Sequence, residues 1–243
     1  MSPVDRVAHL NRWRHRSLTE KATLALGMLL LALMLPPGPG APTIAVVMTV
    51  ATLAGARVPP KVWLACMAAP LGFLLVGAFS LAVQVDAHGF ALAPGGLAAA
   101  ARLVMRSLAA LTCLLFLALT TPATDLIAGL RRLGLPAEIA ELALLIYRFL
   151  FLLGDTAMAM DAAQAARLGD IGFTRRLRSL GVLIANLLPR ALDRARRLEV
   201  GLTARGWNGD LRVLSKRGTL SMPALGLVMV TLAATAATGI FLA

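Results

Sequence analysis

The feature that most constrains this chain is a succession of apolar runs, separated by charged residues, proline, glycine or threonine. They cover Ala22 to Leu35, Ile44 to Ala56, Val62 to Val85, Leu97 to Thr120 and Leu220 to Ala243. An α-helix needs roughly 20 apolar residues to cross a bilayer core about 30 Å thick, and the second run is shorter than that. Hydrocarbon offers backbone groups no water to bond, so such runs are helices. The expected fold class is an all-α membrane protein with about five transmembrane helices and a cytoplasmic arm of long amphipathic helices. The expected boundaries are a basic cytoplasmic N-terminal tail at 1–21, transmembrane helices at 22–120, the arm at 121–217 and a last transmembrane helix at 218–243.

Charge sets the orientation. The formal net charge is +12, yet only 15% of residues are charged, 58% are hydrophobic and the mean hydropathy is +0.79. Arginines concentrate between the apolar runs, as they do in cytoplasmic loops of membrane proteins. With one tyrosine and three tryptophans there is little to stack on bases, so no nucleic-acid partner is expected. Arg6, Arg12, Arg14, Arg16 and Lys21 precede the first run. That run breaks at Pro36 to Gly40 and is followed by another, so it reads as an uncleaved span with a cytoplasmic N-terminus rather than a signal peptide. Ser17-Leu-Thr-Glu20 fits a capping box at its start. Cys66 and Cys113 have no metal-type spacing and read as packing residues. His88, in the polar connector from Gln84 to Gly96, has only Asp86 for company and reads as solvated. Arg102 and Arg106, four residues apart on the fourth run, either snorkel to headgroups or face a partner subunit.

From Thr121 onward arginines and carboxylates punctuate the apolar positions. Thr121-Pro122 is a helix start and Gly134 a stop. Leu135-Pro136 opens a longer helix that could run to Leu168. Its first half, Ile139 to Leu153, is apolar nearly all round, and its second half carries a surface of small residues that includes Ala157, Ala162 and Ala166 and permits close helix crossing. Pro189 is expected to bend or restart the next helix. Beyond it, Arg190, Asp193, Arg194 and Arg197 share one face and Leu192, Ala195, Leu198 and Leu202 another, an amphipathic pattern.

Two segments in this region end alike. Asp161-Ala-Ala-Gln-Ala-Ala-Arg167 is followed by Leu168 and Gly169, and Glu199-Val-Gly-Leu-Thr-Ala-Arg205 by Gly206 and Trp207. Glycine past a helix end can adopt the left-handed conformation, and a cation in the last turn faces the negative end of the dipole. Ala166, Arg167, Gly169 and Ala204, Arg205, Gly206 are therefore either two ordinary C-caps or two cationic helix tips that plug into an acidic groove.

These paired motifs, with Thr120 to Pro136 and Leu145 to Leu153, resemble the transmembrane coupling subunit of energy-coupling factor importers, the EcfT/CbiQ family, and within it the CbiQ type of cobalt uptake systems. The resemblance implies a bacterial inner-membrane subunit that transmits the motion of ATPases to a substrate-binding membrane protein. The implied partners are two cytoplasmic ABC ATPase subunits of the CbiO type, a membrane subunit of the CbiM type and a small accessory protein of the CbiN type. ATP and Mg would be bound by the ATPases, and no cofactor by this chain. Cobalt is the implied cargo, with nickel next and a vitamin after it.

The residues exclude some alternatives directly. There is no Gly-x-x-x-x-Gly-Lys-[Ser/Thr] and no Gly-Lys pair, so a phosphate cradle is missing. The apolar runs lack interior Asp or Glu, which argues against a proton relay. No catalytic constellation is legible, so the chain is expected not to be an enzyme. A stand-alone anion permease using Arg102 and Arg106, or an intramembrane lipid enzyme, are the remaining rivals.

Overall fold

The computed structural model describes residues 3–35, 40–86, 89–92, 94–167, 169, 171–206 and 221–241. Pro36 to Pro39, His88, Leu168 and Trp207, named above, lie outside the described residues. The chain divides into two compact units, Met1–Gly129 with Lys216–Ala243, and Leu130–Ser215.

The first unit opens with α1 (Pro3–Leu10) and a 3₁₀ turn (Arg12–His15), followed by α2 (Leu18–Met34), α3 (Gly40–Val50) with a π turn at Ala51–Gly55, and α4 (Pro60–Ala82). A two-stranded antiparallel hairpin, β1 (Val83–Asp86) and β2 (Gly89–Leu92), links α4 to α5 (Gly96–Thr120). It forms most of the polar connector expected from Gln84 to Gly96; the alternation of Val83 with Gln84 and Val85 with Asp86 has the period of a strand. The start of α6 (Ala123–Arg132) and all of α9 (Met222–Phe241) complete this unit.

Its core lies where α2, α3, α5 and α9 meet, on Leu24, Met28, Ile44, Met48, Cys113, Phe116 and Val228. A Cβ placed on Gly40 would stand 3.2 Å from the Gly239 Cα, so small residues let α3 and α9 approach backbone to backbone. Among the described residues four helices are long and apolar enough to cross a membrane: Pro60–Ala82, Gly96–Thr120, Ala137–Ala165 and Met222–Gly239. The first two expected spans are shorter. α2 has 17 residues, about 26 Å of helix, and the apolar helix Gly40–Gly55 is shorter still. Conversely, Ala137–Ala165 meets the criterion although its arginine-punctuated surroundings had suggested an arm, because Ile139 to Leu153 is apolar almost throughout.

The N-terminal tail is a folded part of this unit. Asp5, Ala8 and Asn11 are buried. The Asn11 Nδ2 donates to the carbonyls of Leu119 at 3.2 Å and Thr120 at 3.3 Å, at the end of α5. Trp13 stands edge-on to Phe116 with centroids 5.4 Å apart, Arg16 lies 4.8 Å over the Trp13 ring, and Arg14 is paired with Asp125. The sequence marks this segment only as a basic tail; its Val4, Val7 and Trp13 seat it against Ala56, Val58 and Leu119.

Two capping expectations change. The Ser17 Oγ does accept from the Glu20 N–H, at 3.4 Å, but the Glu20 carboxylate does not close the box. Glu20 is 2% exposed, and its Oε1 accepts from the Ser221 N–H at 2.8 Å, tying the start of α2 to the start of α9. The Thr121 hydroxyl, expected to cap α6, is buried without a hydrogen-bond partner among the described residues, and Thr121 instead terminates α5 through its N–H to the Leu117 carbonyl.

The second unit contains the end of α6, α7 (Ala137–Ala165) and α8 (Phe173–Thr203). Gly134, between α6 and α7, has φ +106, the left-handed stop that the sequence suggests. α8 runs unbroken through Pro189 rather than restarting there.

Candidate functional site

α7 and α8 form an antiparallel helix hairpin. Leu145, Phe149 and Leu152 on α7 share a cleft with Arg194, Arg197 and Leu198 on α8, whereas Asp161, Gln164 and Ala165 share another with Arg176, Ser179 and Leu180. Early α7 therefore lies beside late α8, and late α7 beside early α8. Arg167 follows the end of α7 and Arg205 the end of α8, so the two arginines mark opposite ends of the hairpin, separated along α8 by 31 helical residues, about 46 Å. Both side chains are exposed.

The two ends are built differently. At the second, the Ala204 N–H donates to the Val200 carbonyl, the Arg205 N–H to Leu202 and the Gly206 N–H to Thr203, each at 3.0 Å, and Gly206 has φ +74. This is the left-handed glycine stop. At the first, Gly169 is not left-handed. Its N–H donates to the Gln164 carbonyl at 2.9 Å, and a Cβ there would lie 2.8 Å from the Ser179 Oγ and 2.9 Å from the Gln164 oxygen. Glycine is needed at 169 for close approach, whereas at 206 it is needed for backbone conformation. Sequence reasoning missed Ser179, whose hydroxyl donates to the Gly169 carbonyl at 2.9 Å and ties the turn to α8.

The small-residue surface sorts into two groups. Ala157 is half-buried, as are Phe149, Leu153, Met160 and Gln164 on the same side of α7. Ala162 and Ala166 are exposed, so in this chain by itself they do not make the crossing expected of them. Alanines at nearly every position define no face, and the larger side chains decide which side turns inward.

Charge in one of the two hairpin clefts is of a single sign. Arg148, Arg194 and Arg197 line one cleft with no carboxylate among its lining residues, over a floor of Leu145, Phe149, Leu152 and Leu198. Among the described residues no three His, Cys, Asp or Glu side chains group as metal ligands. Such an arrangement is suited to holding anionic groups of a partner at fixed places along a stiff element.

Comparison with known proteins places the chain. It is 53% identical over 242 residues to the cobalt transport protein CbiQ of Rhodobacter capsulatus, a match spanning 100% of this chain and 99% of that one. With CbiQ of Salmonella typhimurium the identity is 31% over 229 residues, 88% of this chain and all of the relative. A Methanocorpusculum labreanum chain named as a fused cobalt transport protein CbiMQ is 29% identical over 187 residues, 72% of this chain and 31% of its own length. The family model for CbiQ, the cobalt transport protein, matches residues 10–216, which include most of the first unit's helices and the whole arginine-tipped hairpin; the chain belongs to the CbiQ family of cobalt transport proteins.

Proposed function

We propose that this chain is the transmembrane coupling subunit of an energy-coupling factor importer for cobalt, passing motion from cytoplasmic ATPases to a separate substrate-binding membrane subunit. The observation that carries the reading is the hairpin with exposed Arg167 and Arg205 at its two ends, in a chain of the CbiQ family. Two tips at opposite ends suit two ATPase subunits of the CbiO type, each tip donating charge-assisted hydrogen bonds to carboxylates in a groove. The fused CbiMQ relative supports a CbiM-type substrate subunit as membrane partner; a CbiN-type accessory protein is the third.

The chain then lies in the bacterial inner membrane with its N-terminus and hairpin cytoplasmic; α7, though long and apolar enough to cross, stays on that side in this reading because its partner α8 carries Arg175, Arg176, Arg190, Arg194 and Arg197. The arginines of the N-terminal segment and of the hairpin support that orientation. ATP and Mg belong to the ATPases, and cobalt to the substrate subunit as cargo. The motif residues are Ala166, Arg167, Gly169, Ala204, Arg205 and Gly206, and the exposed Ala162 and Ala166 are free to meet a partner helix.

The test is co-expression with the ATPase and substrate subunits. Arg167→Ala with Arg205→Ala is expected to reduce co-purification of the ATPases or to leave ATP hydrolysis without cobalt uptake, since truncating a desolvated charged contact costs about 2–5 kcal/mol. Full uptake and full co-purification by that double variant would rule the reading out. Competition by nickel in the same uptake assay separates the two metals.

A further inference from the structure

A cleft of about 360 Å³ lies in the first unit between α1 and the segment that leads into α4. Two arginines, Arg6 on α1 and Arg57 before α4, reach it from different elements, and Val7, Leu10, Pro59 and Val62 supply its apolar walls. Neither guanidinium is in an ion pair among the described residues. Asp5, the carboxylate next to Arg6, is buried and lies against His9. The cleft is therefore cationic without internal compensation.

Its position is that of a membrane boundary. α4, a helix long enough to span, begins at Pro60 among these very residues, and α5, another, ends at Thr120, whose carbonyl accepts from Asn11 in the same cleft. Leu10 is 78% exposed at the cleft's edge. A soluble phosphate has no use for an exposed leucine beside its site, whereas an acyl chain does.

Two further features make this more than a patch of charge. Arg57 has φ +54, the one non-glycine residue with positive φ among the described residues, a strained conformation of the sort that persists where surrounding structure holds it. Asn11 is 8% exposed, and its Nδ2 faces the carbonyls of Val7, Ala8, Leu119 and Thr120, which fixes the amide orientation. The ligand that complements two guanidiniums and an apolar wall is a phosphodiester with an acyl tail.

We propose that Arg6 and Arg57 form a binding site for a phosphatidylglycerol-type anionic phospholipid at the membrane boundary of α4 and α5. The two cations hold the phosphodiester, and the acyl chain lies along Leu10 and Val62. A phosphatidylethanolamine fits worse, because its ammonium meets two like charges. Assignment of the lipid to the cytoplasmic leaflet rests on the orientation proposed above; the site itself does not.

The test is native mass spectrometry of the purified full chain in detergent, titrated with phosphatidylglycerol or phosphatidylethanolamine. Wild type is expected to retain phosphatidylglycerol preferentially, and Arg6→Gln with Arg57→Gln to bind it about thirtyfold more weakly, two interfacial cations having been removed. Arg57→Lys should keep most of the affinity. The charge-matched control Arg131→Gln with Arg132→Gln should keep all of it, and circular dichroism confirms that each variant is folded. Equal loss in the control, no preference over phosphatidylethanolamine, or complete displacement by millimolar inorganic phosphate would each overturn the proposal, the last by making the ligand a soluble anion. No transport is measured, so the result stands apart from the coupling reading.

Discussion

The Ser179 hydroxyl donates to the Gly169 carbonyl at 2.9 Å, joining the turn after α7 to the second turn of α8. The same oxygen would stand 2.8 Å from any Cβ placed on Gly169. Two residues ten apart are thus coupled both by a bond and by a lack of space. Gly169→Ala is expected to destabilise the hairpin by about 1–3 kcal/mol through overpacking, and Ser179→Ala by about 1 kcal/mol through the lost bond. Because Ser179→Ala also removes the obstructing oxygen, the double variant should lose less than the sum, as contacting residues do. Thermal unfolding of the purified chain measures this, and strict additivity would disprove the coupling.

Gly206 sets up a contrast. Nothing lies within 4 Å of a Cβ there, so its requirement is the backbone φ of +74 alone. Gly206→Ala should cost about 1 kcal/mol, and Gly206→Asn less, since asparagine tolerates the left-handed region. If Asn proves as damaging as Ala, packing rather than conformation governs the position.

Glu20 binds the start of α9 to the start of α2 through the Ser221 N–H at 2.8 Å. Glu20→Ala strands that donor and is expected to destabilise the first unit by about 1–3 kcal/mol. Glu20→Gln retains an amide oxygen as acceptor, so its melting temperature should lie between those of wild type and the alanine variant. A glutamine variant that melts with or below the alanine one would show that the negative charge, not the bond, is what matters.

The alanine surface of α7 gives opposite expectations for its two groups. Ala157, half-buried, should tolerate leucine poorly, with a loss of about 1–3 kcal/mol in the purified chain. Ala162→Leu and Ala166→Leu lie on exposed backbone and should leave its melting temperature unchanged while reducing co-purification with the partner subunits. Unfolding at Ala162→Leu in the isolated chain, or undiminished assembly of both leucine variants, would contradict this sorting.

Much of the architecture is legible in the residue order. The apolar runs mark α4, α5 and α9, the glycines at 134 and 206 mark helix stops, and the Ala-Arg pairs mark the ends of α7 and α8. Other features are invisible there for definable reasons. A partner 201 residues away, as Ser221 is for Glu20, leaves no local trace, so Ser17-Leu-Thr-Glu20 reads as a complete capping box when only half of it forms. Nothing local to Asn11 announces that its amide is spent on the end of α5, more than a hundred residues away.

What the sequence determines by itself is the class of environment: long uncharged runs cannot be folded anywhere but in lipid or a large core, because an apolar side chain gains by leaving water whichever neighbour it meets. What only the tertiary structure decides is which residues face one another. That Arg167 and Arg205 stand at opposite ends of an antiparallel pair, that Gly169 is held by Ser179, and that Arg6 and Arg57 converge on one cleft all follow from which face of each helix turns inward. Side-chain volume and hydrogen-bond geometry across distant segments set that choice, and they act only once the chain has brought those segments together.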